Sequence, residues 1–165
     1  MNRIALSIAL GAALTFGVVG CGKKESAEKA PAAEAPAVAT PQVQVVVIRP
    51  VGEEMKYDTT EFTVKAGTPV KVVMQNTATQ VAMHHNVVIT KPGTNTDEVG
   101  IASIQAGEAA GYIPQHDAIL FYTPMSAPGE TKEVEFIAPP AGDYPYVCTF
   151  PGHYALMKGV MHSMP

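Results

Sequence analysis

Cysteine is scarce in this chain: its 165 residues include only Cys21 and Cys148, and tryptophan is absent. Cys21 ends an N-terminal apolar segment, so the folded part of the chain offers Cys148 no disulfide partner. A lone thiol in an oxidising compartment is exposed to oxidation unless it is buried or bound to a metal. The surroundings of Cys148 are therefore the first place to look for function.

Basic residues are also scarce in residues 42–165, which carry seven Lys and Arg against twelve Asp and Glu. This acidic balance argues against nucleic acid as a partner and is compatible with a neutral or basic protein partner. The segment is long enough for one domain with a hydrophobic core. It contains no internal repeat.

Long apolar runs are missing except near the N-terminus, where residues 4–19 follow Arg3. The run is too short for a stable transmembrane helix and predicts a signal peptide over residues 1–20. Residues 18–21, Val-Val-Gly-Cys, resemble a bacterial lipobox. This resemblance predicts a lipid on Cys21, and an ordinary signal peptide with an unpaired cysteine is the alternative.

The next segment, residues 21–41, comprises the lipidated cysteine and a stretch rich in Ala, Pro, Glu and Lys. Such a composition cannot bury enough apolar surface to offset its ordering entropy, so we predict a disordered linker. The lipid would anchor the protein to a membrane of the bacterial cell envelope, on its periplasmic or extracytoplasmic face. The domain would then comprise residues 42–165.

The pattern of this domain is all-β. Its apolar and β-branched runs are short and are separated by Gly and Pro turns, which is typical of a sandwich or barrel. The predicted strands are residues 43–48, 57–64, 70–75, 85–90, 119–122, 130–137, 143–148 and 159–164. One helical insertion is predicted near residues 97–110 with Thr96 as its N-cap, although Gly100 and Gly107 weaken it.

Metal-binding chemistry is concentrated in residues 148–157, Cys-Thr-Phe-Pro-Gly-His-Tyr-Ala-Leu-Met. This segment holds the thiol of Cys148, the imidazole of His153 and the thioether of Met157. Soft sulfur ligands favour Cu(I), and imidazole suits both copper oxidation states. One more histidine would complete the His₂Cys set with a weak axial Met that is typical of a blue-copper site.

Two adjacent histidines, His84 and His85, are the candidates for this fourth ligand. Neighbouring side chains of a strand point to opposite faces, so both cannot face one core site without a bulge. His85 shares its face with Val87 and Ile89. The isoleucine favours His85, but the alternation alone leaves the choice open.

These motifs resemble the ligand segments of the azurin and auracyanin branch of the cupredoxins. Residues 148–159, Cys-Thr-Phe-Pro-Gly-His-Tyr-Ala-Leu-Met-Lys-Gly, carry the resemblance, together with residues 83–88, Met-His-His-Asn-Val-Val. Similarity extends over most of residues 42–165. The resemblance implies a Greek-key β-sandwich with one copper ion near one end, cycling between Cu(I) and Cu(II).

The resemblance also implies a role for each candidate ligand. His85, Cys148 and His153 would be the equatorial ligands, and Met157 would be the axial ligand. The backbone carbonyl of His84 would be a weak contact opposite Met157. Azurins usually have glycine at this position.

Further residues would support the ligands in such a site. The backbone N–H groups of Asn86 and Phe150 would donate hydrogen bonds to the ligand sulfur, and the Asn86 side chain would tie the two ligand segments together. Two features depart from azurin. The domain has no second cysteine for the usual disulfide, and Val87 replaces a core tryptophan.

The function implied is one-electron transfer by a mononuclear type 1 copper site. Electrons would pass between membrane or periplasmic redox partner proteins that dock near His153, without a small-molecule substrate. A closed set of four ligands leaves no open position, which argues against an enzyme. One alternative is a copper-binding or delivery protein with an exposed cluster at residues 161–164, Met-His-Ser-Met. Another is a nucleophile–base pair of Cys148 and His153, which would lack a third orienting group.

Overall fold

The computed structural model describes residues 42–165. The predicted signal peptide (residues 1–20), the lipid attachment site at Cys21 and the predicted linker (residues 21–41) lie outside the described residues. Within residues 42–165, no helix is both long and apolar enough to cross a membrane.

The described chain forms two β-sheets with a short helix inserted between strands. The strands are β1 (Gln44–Ile48), β2 (Glu61–Lys65), β3 (Pro69–Gln75), β4 (Val88–Thr90), β5 (Ile119–Tyr122), β6 (Thr131–Ile137), β7 (Gly142–Val147) and β8 (Lys158–Met164). The helix α1 (Thr96–Ala106) is followed by a 3₁₀ turn at Glu108–Ala110. These elements confirm the predicted all-β fold with one short helical insertion.

The two sheets have the strand orders β1-β3-β6 and β2-β8-β7-β4-β5. β1 runs parallel to β3 and β2 runs parallel to β8, whereas the other neighbouring strands are antiparallel. In the larger sheet, Val88 at the start of β4 lies opposite Val147 at the end of β7. The chain before β4 and the chain after β7 therefore meet at the same end of these two strands.

Alternating apolar residues build the core. In β3, Val70, Val72 and Met74 are fully buried while the residues between them are only half-buried, as expected when successive side chains point to opposite faces. From the larger sheet, Ile89 and Tyr146 join the same cluster. Complete burial of one such aliphatic side chain stabilises the fold by about 1.5–3 kcal/mol.

The second and fourth strands are shorter than the sequence predicted. β2 starts at Glu61 instead of residue 57, because Tyr57 makes only an isolated bridge with Pro50. β4 starts at Val88 instead of residue 85, because side chains take up the preceding backbone groups. The Tyr57 hydroxyl donates to the Asn86 carbonyl, and the Val87 N–H donates to the Thr123 hydroxyl.

The predicted helix is also shorter than expected. α1 ends at Ala106 because Gly107 has a φ of +73°, which interrupts the helical path before the 3₁₀ turn. The N-cap is Asn95, one residue before the predicted Thr96, and its side-chain oxygen accepts a hydrogen bond from the Asp97 N–H at 3.1 Å. Asn and Thr are both favoured N-caps, so their adjacent positions left the choice ambiguous in sequence.

Met74→Ala is expected to lower the free energy of unfolding by about 2–5 kcal/mol, because it leaves a cavity in the fully buried core. Val45→Thr in β1 is a suitable control, since Val45 is 56% exposed and its substitution should change stability by less than about 0.5 kcal/mol. Urea unfolding of both variants in the metal-free state would measure these changes. Equal losses in the two variants would contradict the assigned core.

Candidate metal centre

Three buried side chains converge where the chain before β4 meets the chain after β7. The donor atoms of His85, Cys148 and His153 all lie within 4.8 Å of one another. The Cys148 Sγ lies 4.0 Å from the Nδ1 of His85 and 3.7 Å from the Nδ1 of His153. These three residues are therefore positioned to bind one metal ion.

The donor set suits copper. His85 and Cys148 are fully buried and His153 is only 5% exposed, and no carboxylate belongs to the cluster among the described residues. Two imidazole nitrogens and one thiolate form a soft set that favours copper over the hard cations Mg²⁺ and Ca²⁺. Since Nδ1 of each histidine faces the sulfur, one ion could contact all three donors.

Burial controls the protonation of the three candidate ligands. It lowers the pKa of His85 to about 4, with further lowering by the nearby charges of His153 and His84. Burial likewise lowers the pKa of His153. At neutral pH both imidazoles are therefore neutral, which is the form that binds metals.

Burial has the opposite effect on the thiol, because it disfavours the thiolate and raises the pKa of Cys148 to about 11. Hydrogen bonds from the backbone N–H groups of Asn86 and Phe150 oppose this rise in pKa. Desolvation outweighs them in the metal-free protein. Metal binding must therefore displace a proton from Cys148.

Asn86 links the two segments that carry His85 and Cys148. Its side-chain Oδ1 accepts a hydrogen bond from the Thr149 N–H at 2.8 Å, and its Nδ2 donates to the Thr149 Oγ1 at 2.7 Å. Asn86 and Thr149 are both fully buried. The paired bonds hold together segments that are distant in sequence.

Tyr57 is a site residue that the sequence pattern did not reveal. Its buried hydroxyl donates to the Asn86 carbonyl at 2.5 Å, and its side chain belongs to the same core cluster as Cys148. The sequence placed Tyr57 in a strand and offered no local signal for this role. Only the packing of the loop before β2 brings its ring to the site.

The chain turns tightly between Cys148 and Met157. The Met157 N–H donates to the His153 carbonyl at 2.8 Å, and the Cys148 N–H donates to the Met157 carbonyl at 3.0 Å. Gly152 allows the turn with a φ of +86°, which a residue with a side chain rarely adopts. Met157 is thereby buried beside Cys148 in the core.

The side chain of His84 lies outside the three-residue cluster. Its ring stacks on Phe150, with centroids 5.4 Å apart and planes 19° apart. Phe150 in turn contacts His153 edge-on, with centroids 4.9 Å apart. Aromatic side chains therefore cover one flank of the site.

Residues 161–164 are not brought together as a metal-binding cluster. Met161 is fully buried in the core, whereas Met164 is 53% exposed at the end of β8. The Nδ1 of His162 is paired with the Asp143 carboxylate at 2.7 Å. The alternation of a strand disperses these side chains, and this removes the structural support for a surface copper-delivery site there.

The fold and the site define a cupredoxin. The chain belongs to the plastocyanin/azurin family of copper binding proteins, which it matches over residues 43–162. Auracyanin-A of Chloroflexus aurantiacus is 41% identical over 110 residues, which cover 66% of this chain and 67% of auracyanin-A. Auracyanin-B of the same organism is 31% identical over 142 residues, which cover 84% of this chain and 60% of auracyanin-B.

The solved structures agree with these sequence relationships. The structure of auracyanin A, a "blue" copper protein from Chloroflexus aurantiacus, matches with a TM-score of 0.70 and 37% identity. The match covers 74% of this chain and all of that chain.

The metal-free protein should lose stability as the pH falls from about 6.5 toward 4. His85 and His153 have lowered pKa values in the folded state, so the unfolded state binds their protons first. Above pH 8.5 the dependence of stability on pH reverses. Burial raises the pKa of Cys148 in the folded state, so the free energy of unfolding falls as the pH rises toward about 11. Urea midpoints in the presence of a reductant, recorded from pH 5 to pH 10, would show both limbs.

Two variants separate the contributions to this pH profile. His85→Gln should flatten the slope between pH 5 and pH 6.5, and Cys148→Ala should flatten the slope above pH 8.5. Slopes that match those of the unmodified protein would contradict the assignment of these groups.

Proposed function

We propose that this protein transfers one electron at a time through a mononuclear type 1 copper site, between redox partner proteins of a bacterial membrane or periplasm. The convergence of His85, Cys148 and His153 in a member of a copper-binding family is the observation that carries the proposal. Bound copper would supply the one-electron couple between Cu(II) and Cu(I).

We propose Met157 as the axial ligand and the His84 carbonyl as a weak contact on the opposite side. Met157 is fully buried, and its backbone is hydrogen-bonded to both Cys148 and His153. Its unbranched thioether would reach the site from the turn that also carries His153. His84 directly precedes His85, so its carbonyl belongs to the same ligand segment.

The protein contributes to electron transfer by fixing the positions of these donors and excluding water from them. Buried hydrogen bonds of Asn86 and Tyr57 orient the ligand segments, and the ring of Phe150 covers His153. A rigid set of donors reduces the movement that accompanies a change of oxidation state. A set that is closed by four protein ligands has no open position for a substrate, so we propose an electron carrier and not an enzyme.

We further propose that redox partners dock near His153. His153 is 5% exposed, so only a small part of this residue reaches the surface. Leu156, whose N–H donates to the His153 carbonyl at 3.0 Å, is 67% exposed and offers apolar contact area in the same turn. Partners that dock here would come close to a ligand of the metal.

Copper-loaded protein should show an intense visible thiolate-to-copper band and reversible one-electron reduction. Cys148→Ser should abolish the band, whereas His84→Gly should retain it, because only the His84 carbonyl is proposed to face the metal. Absorption spectroscopy and voltammetry measure both properties. A colourless Cu(I) complex that yields its metal to a chelator would instead indicate copper delivery.

We also propose that residues 1–20 are removed as a signal peptide and that Cys21 carries a lipid, with residues 21–41 as the tether. The lipobox-like residues 18–21 support this proposal. Mass spectrometry of the mature N-terminus should find a lipidated Cys21, and Cys21→Ser should release the protein from the membrane fraction. An unmodified mature Cys21 would refute the anchor without affecting the copper site.

A further inference from the structure

One face of helix α1 lies along residues 148–158, which carry three of the proposed ligands and are called the ligand turn below. Residues three apart in a helix share a face, and three such residues of α1 contact the turn. The contacts are Ser103 with Thr149, Gly100 with Tyr154, and Asp97 with Lys158. Each contacted residue directly follows one of the proposed ligands, which are Cys148, His153 and Met157.

The contact of Ser103 with Thr149 is a hydrogen bond in the interior. The Ser103 hydroxyl lies 2.7 Å from the Thr149 carbonyl and 2.6 Å from the Gly100 carbonyl, and Ser103 and Thr149 are fully buried. Asn86 already pairs with the N–H and the hydroxyl of Thr149. The one proton of the Ser103 hydroxyl is shared between the Gly100 and Thr149 carbonyls. Ser103 thereby provides a donor for the remaining polar group of the residue that follows Cys148.

The contact of Gly100 with Tyr154 depends on the absence of a side chain. A Cβ at position 100 would lie 2.1 Å from the Tyr154 Cγ and 2.5 Å from its Cβ. Glycine is unfavourable inside a helix relative to alanine, so a close neighbour explains its presence here. The ring that follows His153 is thus packed directly on the helix backbone.

The contact of Asp97 with Lys158 is an ion pair at the surface. The Lys158 Nζ lies 2.7 Å from the Asp97 Oδ1, and the side chains are 33% and 52% exposed. Solvent and salt screen such a pair, so it contributes less than the two buried contacts.

We infer that α1 is a splint for the ligand turn, with Gly100 and Ser103 as positioning residues that hold the turn in its metal-binding geometry before copper arrives. The inference rests on the proposed copper function for its consequences in the loaded protein. The described residues contain no disulfide that could brace this turn, since Cys148 is free. The helix instead fixes the turn at three points, after each of its three ligands.

Gly100→Ala and Ser103→Ala test the splint in the metal-free protein. Each should speed amide hydrogen exchange at residues 154–157 by about tenfold, because a lost buried contact lets the turn open more often. In the copper-loaded variants, the visible band and the copper hyperfine splitting in electron paramagnetic resonance should shift. The reduction potential should shift with them.

Two controls separate positioning from general instability. Ile101→Ala alters an exposed residue of the same helix, at 52% exposure, and should leave exchange and spectra unchanged. Val72→Ala destabilises the core of the smaller sheet, away from α1. It should lower the urea midpoint without a selective effect on the turn.

A double-mutant cycle tests the contact between Gly100 and Tyr154 itself. Tyr154→Gly removes the side-chain atoms that an added Cβ would meet, so Gly100→Ala should have little further effect in that background. An undiminished effect in the double variant would show that Gly100 acts through helix stability and not through the turn. Ser103→Ala removes only a hydroxyl and keeps the test open if the glycine variant fails to fold.

The splint is overturned if Gly100→Ala and Ser103→Ala change exchange and spectra no more than Val72→Ala does. A parent protein that binds copper without the visible band would overturn the proposed electron-carrier function instead. The exchange measurements use metal-free protein, so they decide the role of α1 in either case.

Discussion

The paired hydrogen bonds between Asn86 and Thr149 are the interaction on which the rest of the site depends. They join residues that are 63 positions apart and place His85 beside Cys148. Because both residues are buried, water does not compete for these bonds, and losing one partner would leave the other unsatisfied. The supports from Tyr57 to Asn86 and from Ser103 to Thr149 converge on this pair, so helix, loop and sheet are fastened at one point.

Burial gives this site its chemical character. It keeps the imidazoles of His85 and His153 neutral, because a charged ring would lose its hydration. It also keeps the thiol of Cys148 protonated until a metal replaces the proton, since desolvation outweighs the hydrogen bonds to the sulfur. The same desolvation thus leaves the two imidazoles in the form that binds metals and keeps the thiol in the form that does not. Metal binding is therefore coupled to proton release from Cys148.

Local patterns predicted the strands well where strand pairing alone decides the structure. β5 has the predicted bounds, and β3 differs by one residue. The prediction was wrong at the start of β2, where Tyr57 makes only an isolated bridge with Pro50. It was also wrong at the start of β4, where the side chains of Tyr57 and Thr123 take up backbone groups in place of a ladder. His85 lies before β4 and makes only an isolated bridge with Ser126, so strand alternation does not determine its direction. His85, which the alternation favoured, does join the cluster, but long-range hydrogen bonding orients this residue.

The sequence by itself determined the donor types and their spacing in residues 148–157, since Cys148, His153 and Met157 belong to one local turn that short-range hydrogen bonds close. Only the tertiary structure decided which distant groups complete the site. His85, Tyr57 and the face of α1 that carries Gly100 reach the turn through sheet pairing and packing across long stretches of chain. Such contacts leave no periodic signal in sequence, because they depend on the positions of whole elements and not on the spacing of neighbouring residues.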